Sequence, residues 1–293
     1  MPHTLISAAE LASWLRGAPP QDDVLVLDCR FSLANPQAGQ QAYAQGHIPG
    51  AVYVHLDRDL SGPKTGLNGR HPLPTPEAFQ RTLQGWGLQA HTEVIAYDDA
   101  GGMFAARAWW MLRWMGHDRV RVLDGGWAQW LAQGGDLSTS APTRQPSTWQ
   151  GHAHEDLLVR IDEVQAHLGE REQMQLLDAR APDRFAGQNE TLDPVGGHIP
   201  GALNRFFQLN LGPDGCFKSA PELHQDFTAL LKSQPLHTVV HQCGSGVTAC
   251  HNLLAMEHAG LSGSRLYAGS WSEWCSGPGG LSLPPGCQTT PRP

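Results

Sequence analysis

The chain has 293 residues, long enough for two domains of about 100–150 residues each. Its hydrophobic share is 40% and its charged share only 16%, a balance that excludes disorder driven by high charge. A formal net charge of −8 without a long Lys/Arg run excludes the usual electrostatic footprint of a nucleic-acid or anionic-membrane partner.

The opening stretch lacks a basic region followed by a continuous apolar run, so it does not read as a secretion signal. It predicts a short helix with Ser7 as N-cap and Glu10 three residues later. Short apolar runs at 24–27, 94–97 and 121–123 predict buried strands. Helical stretches at 76–86, 103–115 and 127–133 alternate with them. Residues 134–155 are rich in Gly, Ser, Thr and Pro and read as a linker. A second series follows, with strands at 175–177, 238–240 and 265–267 and helices at 220–232, 248–259 and 271–275. A Pro/Gly-rich tail closes the chain. This alternation predicts an α/β fold with parallel sheets, whose ligand sites form at the C-terminal ends of strands. No apolar stretch approaches the ~18 residues of a membrane span, and the expected location is the cytoplasm. The six cysteines (29, 216, 243, 250, 275 and 287) include no CxxC pair, which argues against a disulfide framework and against structural zinc.

The chain repeats itself. Gly46-His47-Ile48-Pro49-Gly50-Ala51 recurs identically at Gly197-His198-Ile199-Pro200-Gly201-Ala202. Leu27-Asp28-Cys29-Arg30 matches Leu177-Asp178-Ala179-Arg180. The run ending in Asp98 matches the run ending in Cys243, and Gly125-Gly126-Trp127 with Trp130 matches Gly269-Ser270-Trp271 with Trp274. Four landmarks in the same order indicate a duplication. The expected division is a first domain over 1–135, a linker over 136–156, a second domain over 157–277 and a tail over 278–293.

A duplication supplies its own control. Residues present in both copies read as fold residues, which covers Asp28/Asp178, Arg30/Arg180 and the two tryptophans. The unshared position is Cys243, which stands where the first copy has Asp98. It ends a strand and is followed by Gly244-Ser245-Gly246-Val247-Thr248 and a helix-forming run. Glycines in such a turn let successive N–H groups face inward, and the helix N-terminus adds partial positive charge. That setting stabilises a thiolate and any anion placed on its sulfur. A cysteine phosphatase needs an Arg six positions after the Cys to clamp phosphate, and Ala249 stands there. The loop carries no cation and suits a small transferable group such as one sulfur atom. Cys250 reads as a buried residue, and Trp109, Trp110 and Trp114 as a core-facing helix stripe.

On these residues the chain resembles the tandem rhodanese-domain sulfurtransferases over most of its length. The resemblance implies two rhodanese-like domains, an inactive first copy and a catalytic second copy. It also implies a persulfide on Cys243, with no metal or organic cofactor. The loop from Cys243 to Thr248 is similar to that of the 3-mercaptopyruvate enzymes. Thiosulfate-preferring members carry basic residues where Gly244 and Ser245 stand, so the resemblance favours 3-mercaptopyruvate as donor, with thiosulfate as the alternative. Carried over, Arg184 binds the donor, the loop residues Gly244, Gly246, Val247 and Thr248 line it, and Ser245 with His47 move a proton. The implied partners are a small sulfur donor and a cyanide or thiol acceptor, including a protein thiol, with no nucleic acid and no membrane. Two features depart from the family pattern. No acid lies between residues 31 and 46 to complete a Ser-His-Asp set, and the segment before the second GHIPGA is acidic (Glu190, Asp193) where a second substrate Arg is expected. Arg70 and Arg107 are the candidate substitutes. A rhodanese-like module that binds without catalysis is the competing class.

Overall fold

The computed structural model describes residues 4–20 and 23–276. Cys287 and the expected tail over 278–293 lie outside them. The chain divides into two compact units. Unit 1 takes in Met1–Gly62, Pro74–His154 and Leu211–Phe217; unit 2 takes in Pro63–Leu73, Glu155–Asn210 and the chain from Lys218 onward. Each unit therefore includes a short piece of chain from within the other's run of sequence.

Unit 1 is built from β1 (Leu5–Ile6), α1 (Ala8–Arg16), β2 (Val24–Asp28), α2 (Ala38–Gln45), β3 (Val52–Tyr53), α3 (Leu56–Asp59), α4 (Pro76–Gly85), β4 (Glu93–Tyr97), α5 (Met103–Trp114), β5 (Val120–Leu123) and α6 (Gly126–Ala132). Unit 2 is built from β6 (Leu158–Val159), α7 (Ile161–Ala166), β7 (Gln175–Asp178), α8 (Pro182–Phe185), β8 (Leu203–Asn204), α9 (Ala220–Leu231), β9 (Val239–Gln242), α10 (Thr248–His258), β10 (Arg265–Tyr267) and α11 (Ser270–Trp274). The sheets have the same order, β1-β5-β4-β2-β3 and β6-β10-β9-β7-β8, with every named pairing parallel. The expected α/β architecture of two parallel-sheet domains is the observed one.

Local chemistry explains the elements. Ser7 and Glu10 form the predicted capping box of α1, and Ser219 with Glu222 forms a second on α9. Such caps satisfy N–H groups that the first turn leaves unpaired. β2 is buried along its whole length, as a central parallel strand must be. In α5, Trp109, Trp110 and Trp114 are all buried, which matches the core reading. The two-residue strands and α2 were not predicted. Two residues are too few to show a period, and α2 (AGQQAYAQ) has a sparse apolar face and no side-chain cap. The Gly/Ser/Thr/Pro stretch after α6 has no helix or strand over 141–154, yet it is tied to unit 1. Arg144 donates to Trp86 O and Val24 O, and His152 and His154 donate to the carbonyls of Met115 and Trp114.

The repeated landmarks meet in space. In unit 1, Arg30 grips Asp28 at 2.6–3.1 Å and donates to Gly46 O at 2.7 Å. In unit 2, Arg180 grips Asp178 at 2.7–3.1 Å and donates to Gly197 O at 2.7 Å. Each guanidinium lies over the matched tryptophan, Trp127 at 4.2 Å and Trp271 at 5.1 Å. One buried Asp–Arg pair thus staples the GHIPGA turn to the end of the central strand and to the Trp helix. Three of the four landmarks are joined in this way through one guanidinium in each copy.

Candidate active site

Both units end a central strand in a loop of equal length, from Asp98 to Met103 and from Cys243 to Thr248, and then begin a helix. In unit 1 the fully buried Asp98 carboxylate fills this loop. It accepts the N–H groups of Ala100, Gly102, Phe104 and Ala105 at 2.8–2.9 Å. Burial pushes the Asp98 carboxyl pKa up, against the opposing pull of those four N–H groups. The loop is therefore a cradle of inward-facing N–H donors, filled here by a carboxyl group.

In unit 2 the same position holds Cys243, 2% exposed. Its Sγ takes the N–H of Ser245 at 3.4 Å, the position matched to Ala100. Its backbone N–H donates to Ser270 Oγ at 3.0 Å, and its carbonyl accepts from Trp271 N–H at 3.0 Å. Trp127 makes the same bond to Asp98 O in unit 1, so the tryptophan helix fixes the loop in both copies. Gly246 has φ +74°, and a Cβ there would sit 2.3 Å from Ala268 O, so only glycine fits this turn. Val247 is buried and Thr248 opens α10. Cys250 is fully buried, with its thiol directed to Gly246 O at 3.3 Å.

Ser245 does have a histidine partner, but it is His71. Its Nδ1 lies 2.8 Å from Ser245 Oγ, and both residues are buried. The structure places His47 against Tyr43 and Ser140 instead. Its ring stacks on Tyr43 at 3.8 Å, its Nδ1 faces Tyr43 O at 2.8 Å and its Nε2 faces Ser140 O at 3.3 Å. His198 repeats this pattern in unit 2, stacked on Phe185 at 3.9 Å with Nδ1 on Phe185 O. A role duplicated in both copies belongs to the fold.

The loop residues carry no cation, but the site does. A Cβ on Gly244 would lie 2.7 Å from Arg70 Nη2, 3.6 Å from Arg184 Nη2 and 3.8 Å from Arg180 Cδ. The loop itself is neutral as expected, and of the two candidate substitutes it is Arg70 that occupies the space into which a side chain at position 244 would grow. Arg107 plays no such part; it is fully buried in unit 1 and donates to Leu60 O. Three carboxylates balance the three guanidiniums. Asp178 is taken by Arg180. Glu190 accepts from Arg184 at 2.8–3.2 Å and from the N–H groups of Leu192 and Asp193. Asp193 pairs with Arg70 Nη1 through Oδ1 and reaches Arg184 through Oδ2 at 3.6 Å. Burial alone would raise the Glu190 pKa, but the Arg184 and backbone hydrogen bonds outweigh it and hold that carboxyl low. For Asp193 burial prevails over Arg70 and the pKa is raised.

A model of the rhodanese-like domain matches the chain twice, at residues 7–133 and 160–277. A probable 3-mercaptopyruvate sulfurtransferase of Pseudomonas aeruginosa is 49% identical over 276 residues, covering 94% of this chain and 95% of that one. The chain belongs to the tandem rhodanese-domain sulfurtransferase family. The thiosulfate sulfurtransferase of Bos taurus is 34% identical, covering 92% of this chain and 91% of that one. Among solved structures, the 3-mercaptopyruvate sulfurtransferase of Leishmania major superposes with a TM-score of 0.84 at 31% identity, over 97% of this chain and 76% of that one. The protein is an enzyme of the sulfurtransferase class. Among the described residues no helix is long and apolar enough to cross a membrane, and no group of three or more His, Cys, Asp or Glu is placed to hold a metal ion.

Proposed function

We propose that the enzyme transfers a sulfane sulfur from 3-mercaptopyruvate to a thiophilic acceptor through a persulfide on Cys243. The observation that carries this reading is the placement of Cys243 where Asp98 shows a cradle of N–H donors, with Arg70 and Arg184 beside the loop. The two guanidiniums suit a carboxylate, which planar paired N–H donors hold well. The Cys243 thiolate attacks the donor sulfur, the carbon–sulfur bond breaks, and pyruvate leaves as its enolate. That carbon must gain a proton. Ser245 Oγ–H, hydrogen-bonded to His71, supplies it, His71 restores the Ser245 proton, and the S–H proton of the donor thiol replaces the one His71 gave up. The outer sulfur remains on Cys243 with its charge spread toward the cradle N–H groups. Cyanide, a small thiol or a protein thiol then attacks that outer sulfur and the Cys243 thiolate returns.

Thiosulfate is the second reading, favoured by one observation: cations do reach the loop, from residues 70 and 184. With thiosulfate the sulfur–sulfur bond breaks and sulfite leaves. A cytoplasmic setting without nucleic-acid or membrane partners belongs to the same proposal. The five described cysteines are free thiols, which suits a reducing compartment.

The test is intact mass after mixing with each donor, followed by kcat/KM with cyanide and with a dithiol. The wild type gains the mass of one sulfur atom and Cys243→Ser gains none. A Cys243→Ser protein that turns over normally overturns the nucleophile. A kcat/KM that favours thiosulfate overturns the choice of donor.

A further inference from the structure

Glu190 and Asp193 stand in one short segment and face the same guanidiniums, but they are satisfied unequally. Both Glu190 oxygens accept hydrogen bonds, from Arg184 and from two backbone N–H groups. Asp193 is 5% exposed and paired to Arg70 through Oδ1 only; its buried Oδ2 has no hydrogen-bond partner and lies 3.6 Å from Arg184 Nη2. Glu190 is thus a fixed support for Arg184. Asp193 is a carboxylate bridging Arg70 and Arg184, two of the three arginines on the Gly244 side of the loop, the third being Arg180, taken by Asp178.

We propose that Asp193 acts as an internal carboxylate that competes with the donor's anionic group for Arg70 and Arg184 and so sets the enzyme's discrimination between singly and doubly charged donors. This rests on the reading that those two arginines receive the donor. The physical basis is charge. An incoming anion meets the field of two guanidiniums already partly cancelled by Asp193. The remaining repulsion from Asp193 scales with the charge of the donor, so it weighs twice as heavily on thiosulfate as on mercaptopyruvate. Asp193 is then a specificity residue, and its removal acts in the direction opposite to the removal of a support.

The experiment measures donor affinity in the non-transferring Cys243→Ser protein by calorimetric titration, with 3-mercaptopyruvate and with thiosulfate. Asp193→Asn keeps the shape and removes the charge; Asp193→Ser is the second variant if Asn weakens folding, with thermal unfolding as the control. Kd for mercaptopyruvate is expected to fall about threefold to tenfold and Kd for thiosulfate by about the square of that factor. Glu190→Gln is expected to raise both. If Asp193→Asn or Asp193→Ser raises both Kd values as Glu190→Gln does, Asp193 is a structural support and the inference is overturned. An equal fall for the two donors overturns the charge discrimination. Arg70→Gln and Arg184→Gln separate the layers. If neither weakens donor binding, it is the reading of the arginines that fails; if they do and Asp193→Asn brings no gain, it is the role of Asp193.

Discussion

Ser270 Oγ accepts the backbone N–H of Cys243 at 3.0 Å, from a residue held in the left-handed region at φ 56°. The first repeat has Gly126 there, at φ 54°, where a Cβ would meet Asp98 O at 2.3 Å. The second copy thus carries a side chain at a position glycine would fill more easily. Its hydroxyl also donates to Tyr267 O at 3.0 Å, so Ser270 ties the Cys243 backbone to the end of β10.

Two substitutions separate the strain from the bond. Ser270→Ala keeps the left-handed residue and strands a buried N–H, at a cost of about 1–3 kcal/mol in unfolding free energy. Ser270→Gly also loses the bond but releases backbone strain of roughly 1–2 kcal/mol, so its stability is expected near wild type. Both variants should lose turnover similarly, because both free the nucleophile's backbone. Urea unfolding beside persulfide-forming rates checks this, and equal stability losses in the two variants would refute the strain argument.

His71 and His47 should fail in different ways. His71→Gln is expected to lower kcat with mercaptopyruvate by about 100-fold, the lower range of general acid–base contributions. Thiosulfate turnover should fall less than about tenfold, since sulfite leaves without a proton on carbon. His47→Gln breaks a stacked, fully buried ring with two backbone partners, and the expected loss is about 2–3 kcal/mol of stability. Its kcat per folded molecule should stay unchanged. Donor-specific kinetics and chemical unfolding on both variants decide the assignment.

Acid sensitivity should trace in part to His241. It is fully buried in β9, bonded through Nε2 to Ser264 Oγ, and burial pushes its pKa from 6.5 down to about 3. Above pH 6.5 the ring is neutral folded or unfolded, and its contribution to stability is complete. As pH falls from 6.5 toward 3 only the unfolded chain takes the proton, and stability declines by up to about 1.4 kcal/mol per pH unit. His241→Ala, which places the residue of the matched position Ala96 there, should start less stable at neutral pH and decline less steeply. Unfolding free energies at pH 7, 6 and 5 give the two slopes; parallel slopes would assign the acid sensitivity to other groups.

The duplication was legible because its landmarks are local strings, and the parallel α/β character followed from alternating strands and helices, though not the order of the strands. Cys243 was legible by subtraction, since a position changed between copies is released from the fold. The expectation that His47 moves a proton with Ser245 is not met: its ring stacks on Tyr43, as that of His198 stacks on Phe185, and the histidine at Ser245 is His71. His71 carried no comparable local signal. It meets Ser245 across 174 residues of sequence, and no spacing rule reaches that far. The cations were only partly legible: the resemblance pointed to Arg184, but nothing local chose Arg70 over Arg107. The Cys243 loop is neutral by composition, while Arg70 and Arg184 arrive from segments outside it.

The grouping of Pro63–Leu73 with unit 2 also sets a timetable for synthesis. Arg70 and His71 leave the ribosome long before the strand and loop that receive them. At roughly 5–20 residues per second, the 174 residues from His71 to Ser245 take roughly 10–35 s to translate. Once residue 154 is made, unit 1 has almost all of its chain, while residues 63–73 still wait for the strand and loop of unit 2 that receive them. The catalytic unit is consequently a late-maturing structure, and a truncated product that ends before Ser245 contains the histidine of the site without its serine.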